Sequence, residues 1–493
     1  MVKKGWLKSW IAIVLVASLL AGCSLGGGDT KPSKESGTLK VVYYDENSFH
    51  QQYGSLFSVL HPDVEFEIVS TNKLFNNQQD ENFDYEKAYE EFIKTEKPDV
   101  IITHSSEMKQ LIDKGLLLDL ESMLTKSKVN TEELVPGVLD YMKELGEGVL
   151  YGLPTSFRSS VLLYNKALFD QFNIEHPTDQ MTWQEVFQLA QRFPTDGDAS
   201  ERIYGLSLGW SSDFRSVLNN LMMAEQLKFY DAEAKTMTIN TPAWKSLIET
   251  ALAFVKSNSL YVIDEEQMNG SYSYTSYEDH LMQREPFLAN RVAMTIGETY
   301  TIDEIKRARD SVQDQSKIIS DWDMVTVPVS PQAPDESSSM YFNNVFSITA
   351  ESTNKDLAWK FVSYVTGEEF SRVKSKGGLY GEFPIHTKYI KDDEGRNYAA
   401  FYKLKPVVNH DEMNMMMGSD DLPKQFYFLY DQEMQKKLAE IEKDESTIDA
   451  ALEYLQTKGE ELLLQESMTD EELQKMYEQT YGGGASEGTV IVE

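Results

Sequence analysis

A serine between two glycines is the residue of this chain whose setting best suits nucleophilic chemistry. Gly205, Ser207 and Gly209 fit the pattern Gly-x-Ser-x-Gly, in which a sharp turn between a strand and a helix exposes the serine hydroxyl. Leu206 and Leu208 flank the serine, so Ser207 fits the middle of a strand better than a turn. A histidine base would have to come from downstream, from His280, His386 or His410. A secreted hydrolase is therefore the less favoured interpretation.

The acidic run from Asp196 to Glu201 could bind a cation, because calcium prefers carboxylate oxygens as ligands. The run lacks the glycine at its sixth position and the closing glutamate of an EF-hand loop. We interpret it as a solvated turn. The sequence contains no His-Glu-x-x-His, no Cys-x-x-Cys and no glycine-rich phosphate loop. It therefore predicts no metal site and no cofactor.

Cys23 is the single cysteine among 493 residues, and it follows a segment built for export. Three lysines within the first eight residues precede the apolar run Ile11–Leu20, which predicts a secretory signal peptide over residues 1–22. The run is about half the ~20 apolar residues that a spanning helix needs. Leu20–Cys23 resembles the lipobox of bacterial lipoproteins, in which cleavage precedes the cysteine and a diacylglycerol is attached to its thiol. An ordinary secretory signal with an unrelated cysteine is the alternative.

The composition restricts the partners of the chain. Its formal net charge of −34 at pH 7 repels nucleic acid and anionic lipid, so we predict no nucleic-acid partner. A single cysteine allows no internal disulfide, and the fold must depend on its apolar core. The length suggests two or three domains. Residues 23–37 are small and polar and predict a flexible tether.

An alternation of strands and helices begins near residue 38. Strand patterns at Leu39–Tyr44, Val64–Ile68 and Val100–Ile102 alternate with helical stripes of apolar residues. This order predicts an α/β fold with a parallel sheet and right-handed crossovers. Because ligands of such sheets bind at the carboxyl ends of the strands, the loops Asp45–Ser48 and Thr103–Ser106 mark a candidate site.

A second α/β unit begins near Tyr151. Strand patterns occur at Val161–Tyr164 and Ile203–Leu208, and Thr182–Glu185 forms a capping box that starts a helix. Further helices are predicted at Pro242–Ser257, at Lys355–Val365 and through residues 422–481.

Several segments together resemble the extracellular solute-binding proteins of ABC importers, the set that includes maltose-binding protein. Pro98–Ile101 followed by Lys114–Leu120 is similar to the family's "PDV…KGLLLDL" stretch. Gly148–Pro154 followed by Leu163–Phe169 is similar to its "G-x-x-YGLP…YNKxLF" stretch. Weaker similarities follow in family order at Arg291–Met294, Asn354–Phe361 and Gly378–Pro384.

The resemblance implies a two-lobe periplasmic-binding-protein-like fold with three inter-lobe crossings and a ligand cleft. We expect the crossings near Pro154, Asn290 and Tyr341. The N-terminal lobe would then comprise 38–154 plus 291–340, and the C-terminal lobe 155–290 plus 341–493. In this family the ligand closes the lobes, and the closed form is recognised by the membrane permease.

The resemblance also implies a function without catalysis. We expect a monomer that is lipid-anchored at the extracellular face of the cell membrane. It would capture a solute, which we expect to be a carbohydrate, and deliver it to an ABC permease. A lipoprotein of the same fold that serves a sensor or a partner protein is the alternative.

Ligand contacts are expected at the strand ends and the crossings. These positions are Tyr44, Asp45, Glu46, Ser105, Ser106, Arg158, Trp210, Arg215, Glu298, Tyr300, Phe342 and Asn343. Aromatic faces would stack on sugar rings, whereas carboxylates and amides would bind hydroxyl groups. Core packing or a solvated loop is an equal alternative for each position taken singly. Trp210 stands where family members are often rich in glycine.

Two arginines bear on the charge of the ligand. If Arg158 and Arg215 both point into the cleft, they could bind a carboxylate bidentately, and an acidic sugar such as a uronate would be favoured. We expect each arginine to pair with a nearby Asp or Glu, which favours a neutral sugar.

The lipid anchor gives the first testable prediction. Cys23→Ser should release the protein from membranes into the medium, because the tether carries no other apolar anchor. Fractionation of producing cells, followed by a salt wash of the membranes, measures this release. A mutant that stays in the washed membrane fraction would contradict the anchor.

Overall fold

The computed structural model describes residues 36–75, 85–127, 129–198, 202–209, 213–231, 234–262, 276–377, 381–391, 394–408, 422–469, 472–473 and 475–476. Within these ranges, none of the helices combines the length and the apolarity needed to cross a bilayer. Cys23 and residues 24–35 of the predicted tether lie outside the described residues, whereas Gly37, the last residue of that tether, begins the first strand.

The first lobe is built on a five-stranded sheet. Its strands, in spatial order, are Val64–Ser70, Gly37–Tyr43, Val100–Thr103, Val345–Ile348 and Gly152–Pro154. The first three are parallel, and Val345–Ile348 runs antiparallel to both of its neighbours. The predicted parallel start of the chain is therefore confirmed.

The second lobe is built on a four-stranded sheet. Its strands, in spatial order, are Trp322–Thr326, Ser160–Asn165, Val292–Glu298 and Tyr204–Ser207. Ser160–Asn165 is antiparallel to both neighbours, and Val292–Glu298 is parallel to Tyr204–Ser207.

The strand pairing corrects the expected division into lobes. Residues 291–340 were assigned to the first lobe, but Val292–Glu298 pairs with Ser160–Asn165 in the second sheet. Val345–Ile348, which was assigned to the second lobe, pairs with Val100–Thr103 in the first. The chain therefore does not cross near Asn290, because the strands on either side of that position share one sheet.

The chain passes from the first sheet to the second between Gly152–Pro154 and Ser160–Asn165, and returns between Trp322–Thr326 and Val345–Ile348. The third crossing begins at Gly381 and meets a strand of the second sheet at Asn397, whose N–H donates to Asp323. In that crossing the short strand Phe383–Pro384 pairs with Ser156–Phe157 of the first crossing. The backbones of Arg158 and Tyr341 exchange two hydrogen bonds of 3.0 Å each. The segments between the lobes are thus held against one another by main-chain hydrogen bonds.

Helices of the first lobe enclose an aromatic core. Phe361 lies 5.0 to 5.9 Å, between ring centroids, from Phe49, Phe57, Phe66 and Phe346. The helices are Glu46–Phe49, Ser55–Leu60, Asn72–Phe75, Tyr85–Glu96, Ser105–Asp113, Glu121–Ser127, Val138–Leu145, Lys355–Val365 and Glu368–Gly377, with a π-helix at His50–Gly54.

Helices of the second lobe include a C-terminal hairpin. Its Phe426 and Tyr430 stack with ring centroids 5.5 Å apart, and Tyr430 also stacks on Phe229. The helices are Lys166–Phe172, Trp183–Ala190, Phe214–Glu225, Pro242–Lys256, Tyr277–Arg284, Thr299–Ser311, Phe426–Glu442 and Ile448–Leu463. The predicted capping box is present, because Glu185 N donates to Thr182 Oγ1 and Thr182 N donates to Glu185.

Short elements complete the described chain. Tyr230–Asp231 pairs with Thr236–Met237, and Glu336–Ser337 pairs with Lys405–Pro406. Single 3₁₀ turns lie at Gln315–Lys317, Thr387–Tyr389 and Tyr398–Phe401.

A buried aspartate joins three segments of the first lobe. Asp99 is 5% exposed. Its carboxylate accepts hydrogen bonds from Lys40 N at 3.0 Å and Ser352 Oγ at 2.7 Å. Asn354 Nδ2 donates a further bond at 3.2 Å. Because buried donors are costly when left unpaired, this carboxylate stabilises the packing of the sheet against the helix that starts at Lys355.

Removal of this carboxylate should destabilise the lobe. We expect Asp99→Ala to lower the free energy of unfolding by about 2–4 kcal/mol, because several buried donors lose their acceptor. Urea unfolding measures the loss. Asp113→Ala, at an exposed position, is the control and should change stability by less than about 0.5 kcal/mol. Equal stabilities of the two variants would contradict the role of Asp99.

A partly buried carboxyl, that of Glu285, lies beside helices of the second lobe. Burial, reinforced by the charge of Glu304, raises the pKa of Glu285 to about 7. Glu304 is itself bound by the Tyr277 hydroxyl at 3.3 Å and by Arg307 at 2.8 Å. Between the ordinary glutamate pKa and about 7, the folded chain therefore holds a proton that the unfolded chain has lost. The contribution of Glu285 to stability then falls as the pH rises through this window.

Replacement of Glu285 by a neutral isostere should remove this pH dependence. At pH 8 we expect Glu285→Gln to unfold with a free energy about 1–3 kcal/mol higher than the wild type. Below about pH 4.5 the difference should vanish, since the carboxyl is then neutral in both states. Thermal unfolding from pH 4 to 8 tests this, with the exposed Glu65→Gln as control. If the stability of Glu285→Gln relative to the wild type changes with pH no more than that of Glu65→Gln, the role of Glu285 is contradicted.

Candidate functional site

The loop after the first strand presents one exposed aromatic ring. Tyr44 is 44% exposed, and its hydroxyl accepts a hydrogen bond from Gln52 Nε2 at 3.4 Å. Asp45 instead caps the following helix by accepting from Ser48 N at 2.9 Å, and these Ser48 bonds lower its pKa. Glu46 Oε1 lies 4.0 Å from the Nε2 atom of His50. Of the three residues predicted in this loop, Tyr44 therefore offers an exposed ring for stacking, whereas Asp45 is engaged in capping the helix.

The end of the third strand meets the second crossing. Ser105 is buried and its N–H donates to the Phe342 carbonyl at 3.1 Å. Ser106 belongs to the first turn of the helix Ser105–Asp113. Phe342 was expected to contact the ligand, but its ring is 1% exposed and lies 5.0 Å from that of Tyr141. Phe342 therefore packs in the core, whereas the next side chain, Asn343, faces the crossings.

A carboxylate from the third crossing gathers side chains from the other two. Glu382 Oε1 accepts from Arg158 Nε at 3.3 Å and from Asn343 Nδ2 at 3.2 Å. Its Oε2 accepts from Asn344 Nδ2 at 3.3 Å and from the Ser156 hydroxyl. We call these five residues the crossing cluster. Two of them, Arg158 and Asn343, were predicted from the sequence.

Tyr341 connects the second lobe to the crossing cluster, because its backbone is hydrogen-bonded to that of Arg158. The Tyr341 hydroxyl donates to Glu298 Oε2 at 3.1 Å. Burial, assisted by the charge of Glu298, raises the pKa of Tyr341 to about 12, so the hydroxyl stays protonated. Glu298 is the last residue of its strand and precedes the helix Thr299–Ser311. The predicted Glu298 is therefore linked to the second crossing.

The third crossing packs on the start of that helix. Gly381 has a φ of +80°, and a Cβ at this position would lie 3.2 Å from the Cβ of Tyr300. The Thr299 hydroxyl donates to the Gly381 carbonyl. Tyr300 itself is 44% exposed. Tyr44 in the first lobe and Tyr300 in the second are thus exposed tyrosines that each follow the end of a strand.

Two predicted residues lie elsewhere. Arg215 Nη2 forms an ion pair of 2.7 Å with Asp431 of the C-terminal hairpin. Trp210 lies outside the described residues. Arg158 and Arg215 are therefore each paired with a carboxylate of the chain. This pairing agrees with the expectation that neither arginine binds an acidic group of the ligand.

Two pockets flank the crossings. The crossing pocket, of about 60 Å³, is lined by Gln52, Tyr53, Thr155, Ser156, Asn344, Phe370, Ser371, Lys374, Glu382 and Pro384. A second pocket, of about 160 Å³, lies in the second lobe between Trp183, Asn220, Met223 and the loop 327–341. The first is lined by residues of the first lobe and of all three crossings.

Several residues that line the crossing pocket were not among the ligand contacts predicted from the sequence. Gln52 and Tyr53 lie in the π-helix His50–Gly54, a distortion that recurs at functional sites. Glu382 lies within the loosely matched segment Gly378–Pro384, and Lys374 lies on an amphipathic helix. No local pattern marks any of the four as a cleft residue. Their common position follows from the packing of distant segments.

Comparison with known proteins agrees with the two-lobe architecture. A sugar transporter of Rhizobium etli, solved in an open conformation, is 18% identical with a TM-score of 0.59, covering 86% of this chain and 99% of its own. The sugar-binding protein MalE of Xanthomonas citri is 15% identical with a TM-score of 0.60, covering 90% of this chain and 100% of its own.

Sequence comparison identifies the family. A curated relative, the sn-glycerol-3-phosphate-binding periplasmic protein of Agrobacterium fabrum, is 28% identical over 81 residues. This match spans 16% of the chain and only 18% of that protein. The family model of the bacterial extracellular solute-binding proteins matches residues 46–370. The chain therefore belongs to the bacterial extracellular solute-binding protein family.

Proposed function

We propose that this protein captures a carbohydrate between its lobes and delivers it to the permease of an ABC importer. The observation that carries the proposal is the crossing cluster, which collects hydrogen-bonding side chains from all three crossings beside one pocket. Polar side chains satisfy sugar hydroxyls, and the exposed rings of Tyr44 and Tyr300 suit their apolar faces. The names of the solved relatives, a sugar transporter and a sugar-binding protein, support this class of ligand.

We infer that the ligand is bound without turnover. Ser207 is 2% exposed, and its Oγ accepts a hydrogen bond from Gly209 N at 3.2 Å. His386, one of the three candidate bases, is buried with its Nδ1 2.9 Å from Ser371 Oγ. A hydrolase would need both an accessible serine and a base beside it. Recovery of an unchanged oligosaccharide after prolonged incubation tests this, and cleavage that Ser207→Ala abolishes would overturn it.

Membrane attachment through a lipid on Cys23 and monomeric behaviour belong to the same proposal. The lipid would keep the protein close to the permease after export. A binding lipoprotein that serves a sensor or a partner protein would have the same fold. Uptake of the bound sugar by cells separates the two, since only the importer requires the permease genes for uptake.

Tyr300 provides a test of the ligand class. In calorimetry with the oligosaccharide that most stabilises the protein in a thermal-shift screen, we expect Tyr300→Ala to weaken binding by about 1–3 kcal/mol, because a ring that stacks on the sugar is lost. The matched control is Tyr454→Ala, a tyrosine with 38% exposure whose hydroxyl donates to Glu433 on the C-terminal hairpin.

The control should leave the affinity unchanged. Equal affinities of the wild type and both variants would remove Tyr300 from the site. If the melting temperature responds to no oligosaccharide in the screen, the carbohydrate proposal itself fails, because a bound ligand must stabilise the folded protein.

A further inference from the structure

The crossing pocket contains a carboxylate whose acceptor positions are already used. The Glu382 side chain is 12% exposed. Each of its oxygens accepts two hydrogen bonds from the crossing cluster, and one of those donors is the Arg158 guanidinium. Within the pocket, the negative charge of Glu382 is thus balanced by Arg158, and neither group is left to compensate another charge.

A lysine in the same pocket has no such partner. Lys374 lines the crossing pocket, and its Nζ lies 5.8 Å from the Tyr53 ring centroid and 5.6 Å from that of Phe370. Across the described parts of the chain, no carboxylate forms an ion pair with this ammonium group. Burial alone lowers its pKa. The neighbouring hydroxyl, Ser371 Oγ, is engaged with His386.

A partly buried ammonium group that contacts two aromatic rings, but no carboxylate among the described residues, is unusual in so acidic a chain. The formal net charge is −34, and other lysines readily find carboxylates; Lys388, for example, contacts both Glu133 and Glu368. Desolvation of an ammonium group is unfavourable unless an acceptor replaces the lost water. Because Arg158 balances the charge of Glu382, Lys374 gives the crossing pocket a net positive charge.

We propose that the crossing pocket binds an anionic substituent, a carboxylate or a phosphate, of the carbohydrate, and that Lys374 determines this specificity. The inference rests on the proposed function and refines its ligand from a neutral to an acidic sugar. The pocket, of about 60 Å³, holds a few water molecules and so admits a substituent but not a whole ring. The Lys374 ammonium would donate charge-assisted hydrogen bonds to the anion. The sugar ring would extend towards the exposed Tyr44.

The test uses three matched sets of probes with the full-length protein. They are the neutral sugars galactose and glucose, the uronates galacturonate and glucuronate, and the sugar phosphates galactose 1-phosphate and glucose 1-phosphate. Thermal shift finds the probes that bind, and calorimetry measures their affinities for the wild type, Lys374→Gln, Lys374→Arg and Lys376→Gln. The last variant removes an exposed lysine from the same helix and controls for the change in net charge.

We expect an anionic probe to bind more tightly than its neutral counterpart, and Lys374→Gln to weaken that anionic probe by about 10- to 100-fold. Lys374→Arg should restore most of the affinity, and Lys376→Gln should leave it unchanged. Melting of the unliganded variants verifies their folding, because Gln retains only the first part of the apolar stem beside Tyr53 and Phe370. Whether the uronate or the phosphate responds identifies the anion.

Two failures are distinguishable. If neutral sugars bind best and Lys374→Gln leaves every affinity unchanged, the anionic site is overturned while the proposed function stands. If no probe of the three sets binds, the anionic site is overturned as well, and the wider oligosaccharide screen then decides whether the carbohydrate proposal also fails.

Discussion

The hydrogen bonds to the Glu382 carboxylate are the interaction on which the arrangement of the two lobes depends. Ser156 and Arg158 come from the first crossing, Asn343 and Asn344 from the second, and Glu382 itself from the third. A carboxylate with little exposure is stable only when hydrogen bonds replace its water. The requirement to satisfy this one charge therefore brings three remote segments of the chain to one place.

Main-chain hydrogen bonds support the same junction. Arg158 and Tyr341 exchange backbone bonds, and Phe383–Pro384 pairs with Ser156–Phe157. The lobes on either side have their own sheets and pack separate sets of helices. Hinge motions are absorbed by a few residues between such rigid bodies. In this protein those residues also line the crossing pocket, so contact with a ligand there would act directly on the segments that must move.

The charge of the junction differs from that of the whole molecule. The chain is strongly acidic, yet the crossing pocket is lined by Lys374 and by a single carboxylate, Glu382, which is paired with Arg158. Local fields of this kind depend on which side chains face the cleft, because charges on the outer surface are screened by salt within about 10 Å. Net charge therefore describes the solubility of this protein and its repulsion of nucleic acid, whereas ligand selection is a property of the pocket.

Local patterns determined much of the secondary structure. The apolar stripe at Lys355–Val365 predicted a helix with the bounds that the structure has, and the capping box at Thr182 starts a helix as expected. Motif spacing also sufficed for the family and for the two-lobe fold. These features depend on residues close in sequence, whose periodicity and capping are visible without knowledge of the tertiary contacts.

Only the tertiary structure decided which lobe each strand joins and which residues form the site. Val292–Glu298 pairs with Ser160–Asn165 across more than a hundred residues of chain, and Arg158 finds Glu382 at a separation of 224 residues. No short-range pattern encodes such partners. Phe342 and Asn343 are adjacent in sequence but lie in the core and in the crossing cluster respectively, whereas the equally adjacent Asn343 and Asn344 both donate to Glu382. Long-range pairing and side-chain direction therefore selected the site from candidates that the sequence could only place near a crossing.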